Sequence, residues 1–163
     1  MNIFAVHEDP EVAARSLCDK HVVKMPLESA QMLCTVLTHT ALLEKAPYKP
    51  AFRNHPCTKW AASTRINFEW LIQHGLSLCE EYTRRYDRRH KCQDVIEWAA
   101  PRSSFIMNGP LTPFAQAMPE VYKRPCSISA YRAYYLGAKT YMATWKAPGA
   151  APQWFSQALM ENV

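Results

Sequence analysis

The sequence predicts a mainly α-helical, compact fold, a single domain over 1–163. Three observations carry this expectation. Apolar residues recur at helical spacing over long stretches, and strand-type alternation is nearly absent. Twelve prolines against four glycines punctuate the chain between those stretches. With 163 residues, 48% of them hydrophobic, the chain is long enough to bury a real core and too apolar to be disordered.

Ile3–Val6 reads as the one short extended piece. Asp9-Pro10 pairs an N-cap with a first helical proline and opens a helix to about Cys18. A second helix runs from Asp19, a candidate cap, to about Leu43. Val22, Val23, Leu27, Ala30, Leu33, Cys34 and Leu37 supply its apolar face. Pro26 lies inside this pattern, so the helix kinks near 22–25 or a new one starts there. Residues 44–58 form a proline-rich loop before the longest helix, about Lys59 to Tyr86, in which Glu80 with Arg84 and Glu81 with Arg85 make favourable pairs. Gln93–Ala100 is a short amphipathic helix closed by Pro101. Loop follows over 101–126, with one helical turn at 113–118, then a last helix from about Ser127 to Trp145. Trp154 and Phe155 are expected to dock the tail.

Composition narrows the function classes. No apolar run approaches the ~18–20 residues that span a bilayer, and Met1–Pro10 lacks the apolar core of a signal peptide. A cytoplasmic protein without a membrane partner is expected. The six cysteines contain no C-x-x-C pair, so they read as buried thiols rather than a zinc site. Phosphate loop, nucleophile elbow, H-E-x-x-H and calcium loop are all missing, and the scheme below calls for no metal and no cofactor. The net charge of +5 suits an anionic partner such as nucleic acid, and is also an ordinary surface balance.

Three runs concentrate chemistry. In Asp19–Glu28, His21, Lys24, Glu28 and Gln31 recur at spacings of three, four and three, which puts them along one helical stripe. Ionisable groups among apolar neighbours suit acid–base work or an amine nucleophile, and Lys24 with Glu28 is equally an ordinary i,i+4 ion pair. Arg53-Asn54-His55-Pro56 places polar groups on an extended loop, with Lys59 just beyond. Tyr131–Lys139 interleaves aromatic and basic residues: Tyr131, Arg132, Tyr135 and Lys139 suit unpaired bases and phosphates, although helical spacing makes about half of the tyrosines core. Arg84–Lys91 reads as a solvated basic helix end.

These runs, in this order, resemble the bacteriophage-type pyrimidine-dimer DNA glycosylases, the endonuclease V-like family. Asp19, His21 and Glu28 match its Asp-x-His-(x)6-Glu pattern without a gap, His55 is similar to a histidine before its central helix, and Tyr131–Lys139 to its C-terminal aromatic-basic segment. The chain also resembles small phage proteins known only from sequence. The resemblance implies an all-helical DNA enzyme that excises a damaged or modified pyrimidine, with abasic-site lyase activity as a possible second step. An α-amine at the N-terminus, here Met1 or Asn2, would attack the sugar, and Glu28 would stabilise charge and move protons. Lys24 is the alternative amine, and His21 and His55 would orient groups. Lys20, Gln31, Arg53, Asn54, His55, Lys59, Tyr131, Arg132, Tyr135 and Lys139 would meet double-stranded phage or host DNA, with a monomer expected. Three departures stand out: Asn2 suits initiator-methionine removal poorly, a segment around His7–Pro10 is inserted before the helix that carries Glu28, and Leu27 and Gln31 replace arginines flanking the glutamate. The rivals are a phage enzyme that modifies pyrimidines on the same scaffold and a non-catalytic nucleic-acid binder or host antagonist.

Overall fold

The computed structural model describes residues 1–146 and 150–162. Among them are seven α-helices and no β-strand: α1 (Pro10–Ser16), α2 (Asp19–Thr38), α3 (Pro56–Ser63), α4 (Arg65–Tyr86), α5 (Gln93–Ala99), α6 (Ser127–Tyr134) and α7 (Gln153–Glu161). The mainly α class predicted from sequence is the one observed. At the centre, α4 packs on α1, α2, α3 and α5, while α2 packs on α3, α4 and α5.

Local chemistry explains most boundaries. Asp9 caps α1, its Oδ1 accepting the Glu11 N–H at 2.8 Å, with Pro10 as first residue. Cys18, not Asp19, is the N-cap of α2, and the helix stops at Thr38 rather than Leu43. It runs unbroken through Pro26. The proline removes the N–H that the Val22 carbonyl would accept, and one residue on, His90 Nε2 donates to the Val23 carbonyl at 2.9 Å. The helix expected over 59–86 is two helices. Thr64 is extended at φ −143°, and its hydroxyl caps α4 by accepting the Asn67 N–H at 3.1 Å while donating to the Pro110 carbonyl at 2.8 Å. A Cβ on Gly109 would lie 2.7 Å from the Thr64 methyl, so this crossing requires glycine.

The C-terminal third differs more from expectation. No helical turn forms at 113–118; a 3-10 turn lies at Glu120–Tyr122 instead. The helix expected over 127–145 leaves α geometry after Tyr134, passing into a π turn (Tyr135–Lys139) and then a 3-10 turn (Thr140–Met142). Phe155 of α7 is buried against Tyr135 and Trp145, so the tail docks as expected.

The Arg84–Lys91 cluster lies at and beyond the end of α4 with Arg84, Arg88, Arg89 and Lys91 exposed, as expected of a solvated helix end, while Arg85 turns inward. The Arg85 guanidinium is buried, bonding Glu81 at 3.0 Å, Asp19 at 3.1 Å and the Leu17 carbonyl beyond the end of α1 at 2.9 Å. Arg84 pairs with Glu81 instead of Glu80, and Arg89 with Asp94 and Glu97. Five cysteines are buried, all are free, and Cys126 is exposed.

Removing Arg85 leaves two carboxylates short of their partner in the interior. Arg85→Ala is expected to cost about 3–5 kcal/mol in urea unfolding. Arg84→Ala, at a solvated guanidinium, is expected to cost below about 1 kcal/mol.

Candidate active site

Residues 2–6 carry no strand, yet Asn2, Ile3, Phe4, Ala5 and Val6 are all buried. Buried backbone without a ladder needs other partners. Asn2 Oδ1 accepts the Ile3 and Phe4 N–H groups at 2.7 and 3.0 Å, and its Nδ2 donates to the Ala117 carbonyl at 2.8 Å. The Val6 N–H turns back to the Phe4 carbonyl at 2.8 Å, and Arg132 Nε donates to the Val6 carbonyl at 2.9 Å. Phe4 sits at φ 41°, a backbone state that bulky residues rarely adopt. Its ring stacks on His21 at 4.2 Å and meets Tyr131, Tyr134 and Tyr135, packing that offsets the strain.

This segment delivers the chain start to Glu28 on α2. Glu28 is 8% exposed. Its Oε2 accepts the Asn2 N–H at 2.9 Å and lies 3.8 Å from the Met1 α-amine; its Oε1 lies 3.4 Å from Lys24 Nζ. The Met1 side chain is buried, so its residual exposure comes from the backbone end that carries the amine. One carboxylate thus faces two amines: one on a fixed backbone, one on an exposed flexible stem.

Burial disfavours the charged form of two histidines near this carboxylate. His21 is buried, with Nδ1 2.7 Å from the Tyr135 hydroxyl. Burial, then the charges of Lys139 and Lys24, lower its pKa from 6.5 to about 3. His55 caps α3, its Nδ1 accepting the Cys57 N–H at 3.1 Å, which leaves the proton on Nε2. Its pKa is also lowered, by burial and then by the N-terminal amine, against the opposing pull of Glu28. His55 therefore feels the charges at Glu28 while its own hydrogen bond serves the helix cap.

The other residues singled out from the sequence divide by exposure. Lys20, Arg53, Asn54 and Lys59 are exposed and Gln31 is partly so. Arg53, Asn54 and Lys59 line one cleft of about 420 Å³ with Thr35, His39 and Thr58. Tyr131 and Tyr135 are fully buried, so the expectation that they face bases is corrected: they are core. The Tyr131 hydroxyl donates to the Ala115 carbonyl, steadying the segment that Asn2 grips, and Tyr135 holds His21 and the Cys18 N–H. Arg132 likewise supports Val6, lying 5.4 Å over the Trp154 ring. Lys139 is half-buried, over Tyr134 at 5.0 Å and Phe4 at 5.9 Å. Sequence reasoning misses Lys123 and Arg124, which line a depression with Pro56 and Gln116. An exposed Lys-Arg pair in a proline-rich loop is the signal that could have found them.

No group of metal-ligating side chains occurs among the described residues, and no helix there is long and apolar enough to cross a membrane. A family model described as pyrimidine dimer DNA glycosylase matches residues 1–94. No curated protein and no solved structure matches the chain.

A histidine whose folded pKa is depressed stabilises the fold while neutral. That stability is in place above about 6.5 and is lost as pH falls toward about 3 for His21 and about 4 for His74, a histidine buried on α4 with its Nδ1 3.1 Å from the Pro10 carbonyl. Thermal unfolding midpoints are expected to fall across that interval, and to fall less steeply in His21→Asn.

Proposed function

For a chain that belongs to the pyrimidine dimer DNA glycosylase family, we propose base excision from a damaged or modified pyrimidine in double-stranded DNA, begun by an amine and assisted by Glu28. One observation carries the reading: a buried carboxylate held between the Met1 α-amine at 3.8 Å, the Asn2 nitrogen at 2.9 Å and Lys24 Nζ at 3.4 Å.

The amine attacks the sugar C1′, forming a C–N bond as the glycosidic bond breaks. The base leaves with that bond's electron pair and takes up a proton. Glu28 offsets the positive charge that builds on the sugar, an effect strengthened by its burial. The sugar ring then opens to an imine. Loss of a 2′ proton, for which Glu28 is the nearby base, expels the 3′ phosphate and cuts the strand. If the first residue is removed, the Asn2 nitrogen becomes the α-amine, already beside the same carboxylate.

The α-amine is favoured over Lys24. As a class, α-amines lose their proton closer to neutrality than lysine amines do. Burial of the Met1 side chain and the bonds of Asn2 also fix its position in advance, whereas the Lys24 side chain is 68% exposed. Arg53 and Lys59, with the neutral amide of Asn54, on one side and Lys123 and Arg124 on another supply groups for the phosphates.

The test is borohydride trapping on duplex DNA carrying an abasic site, beside base release from ultraviolet-damaged duplex. A covalent adduct mapping to the N-terminal peptide is expected. Glu28→Gln should slow base release by about 10²-fold or more, and Lys24→Arg should keep the adduct. An adduct on Lys24 would reassign the nucleophile. No adduct, with salt-dependent binding retained, would overturn the reading.

A further inference from the structure

We infer that Phe52 is a wedge that enters the base stack of duplex DNA beside the nucleotide under attack, an inference that rests on the DNA-acting reading above. Single exposed apolar residues are ordinary, so exposure alone carries nothing. Phe52 combines exposure with backbone strain and with anchors that maintain the strain.

Phe52 is 64% exposed and Phe105 43%, while Phe4, Phe68, Phe114 and Phe155 are buried; of the two exposed rings, Phe52 alone has positive φ. It sits at φ 55°, in the left-handed region that a bulky side chain rarely adopts. Phe4 is the other phenylalanine with positive φ, and its ring lies within the aromatic cluster at the site. Phe52 gains no comparable burial. Its conformation is imposed from both sides. Thr35 Oγ1 accepts the Ala51 N–H at 2.9 Å and lies 3.0 Å from the Ala51 carbonyl, tying the loop to α2. The His55 N–H closes a turn on the Phe52 carbonyl at 3.0 Å, and the His55 side chain caps α3. A strained residue over-determined by its surroundings, with its ring left in solvent, points to function outside the fold.

Position and charge identify the occupant. Thr35 lies seven residues beyond Glu28 on the same helix face, about 10 Å along α2. At the other end of the loop, His55 responds to the charges of Glu28 and the N-terminal amine. Arg53 and Asn54 follow Phe52 directly in the loop and line a cleft with Lys59, so groups that suit phosphates lie on the same loop and on the helix after it. An exposed apolar ring on a loop that also carries cations suits a base step between its phosphates, and such side chains open steps most readily where the stack is already distorted.

The experiment uses the full chain and a duplex with one ultraviolet-induced pyrimidine dimer and 2-aminopurine at a flanking position. Fluorescence on binding reports unstacking, single-turnover base release reports chemistry on the duplex, and borohydride trapping on a single-stranded abasic oligonucleotide reports chemistry without a stack to open. Circular dichroism checks that each variant folds. The wild type should raise the fluorescence. Phe52→Ala should lose that rise and release base about tenfold or more slowly, with single-strand trapping within about twofold of wild type. Phe52→Trp should keep all three. A Phe52→Ala protein that unstacks and excises like wild type overturns the wedge, as does an equal slowing on both substrates or a wild type that raises no fluorescence. A Phe52-dependent rise without base release leaves the wedge standing and sinks the glycosylase reading.

Discussion

The backbone of residues 2–6 crosses the interior with no strand beside it, and its buried N–H and C=O groups must still be satisfied. Much of the site follows from that demand. Asn2 serves the two N–H groups after it, Arg132 serves the Val6 carbonyl, and Glu28 takes the Asn2 N–H. A carboxylate recruited to pair a backbone group is thereby brought beside an amine. Positioning of this kind needs little reorganisation when a substrate arrives, because the groups are already fixed by the fold.

Charge on the molecule sorts into two populations. Arg84, Arg85 and Arg89 are spent on carboxylates or backbone carbonyls, and Arg132 on a carbonyl and a ring. Lys24 and Lys123, though exposed, pair with Glu28 and Glu120, and Arg124 donates to the Val121 and Lys123 carbonyls, whereas Lys20, Arg53, Lys59, Arg88 and Lys91 are exposed and make no ion pair among the described residues. The net charge of +5 therefore understates how unevenly cations are placed.

Legibility in the sequence followed how local each determinant was. Asp9-Pro10 announces α1, and the spacing of His21, Lys24 and Glu28 places the latter two in contact, because both depend on neighbours within a turn. The break at Thr64 was also readable, since a Ser-Thr pair ahead of Arg65 is a capping signal; the apolar pattern running through it concealed the boundary. Tyr131 and Tyr135 could not be sorted by periodicity. An aromatic stripe looks alike whether it stacks on bases or on Phe4, and only the tertiary fold decides. The grip of Asn2 on Ala117 spans 115 residues and leaves no local trace.

That span has a consequence for the order in which the protein becomes itself. The groups that seat the first residues lie late in the chain: Ala117 for Asn2, Arg132 for Val6, Tyr135 for His21. Contacts between such distant positions carry a large loop-closure cost and tend to consolidate after local ones. A chain growing from its N-terminus therefore holds α2 and its carboxylate well before it holds the residues that fix the amine there. Residues 1–94, which carry the family pattern, stop short of all three of these supports. Placement of the amine is accordingly a property of a chain grown past residue 135, and a shorter ribosome-bound fragment would carry the carboxylate without the amine fixed beside it.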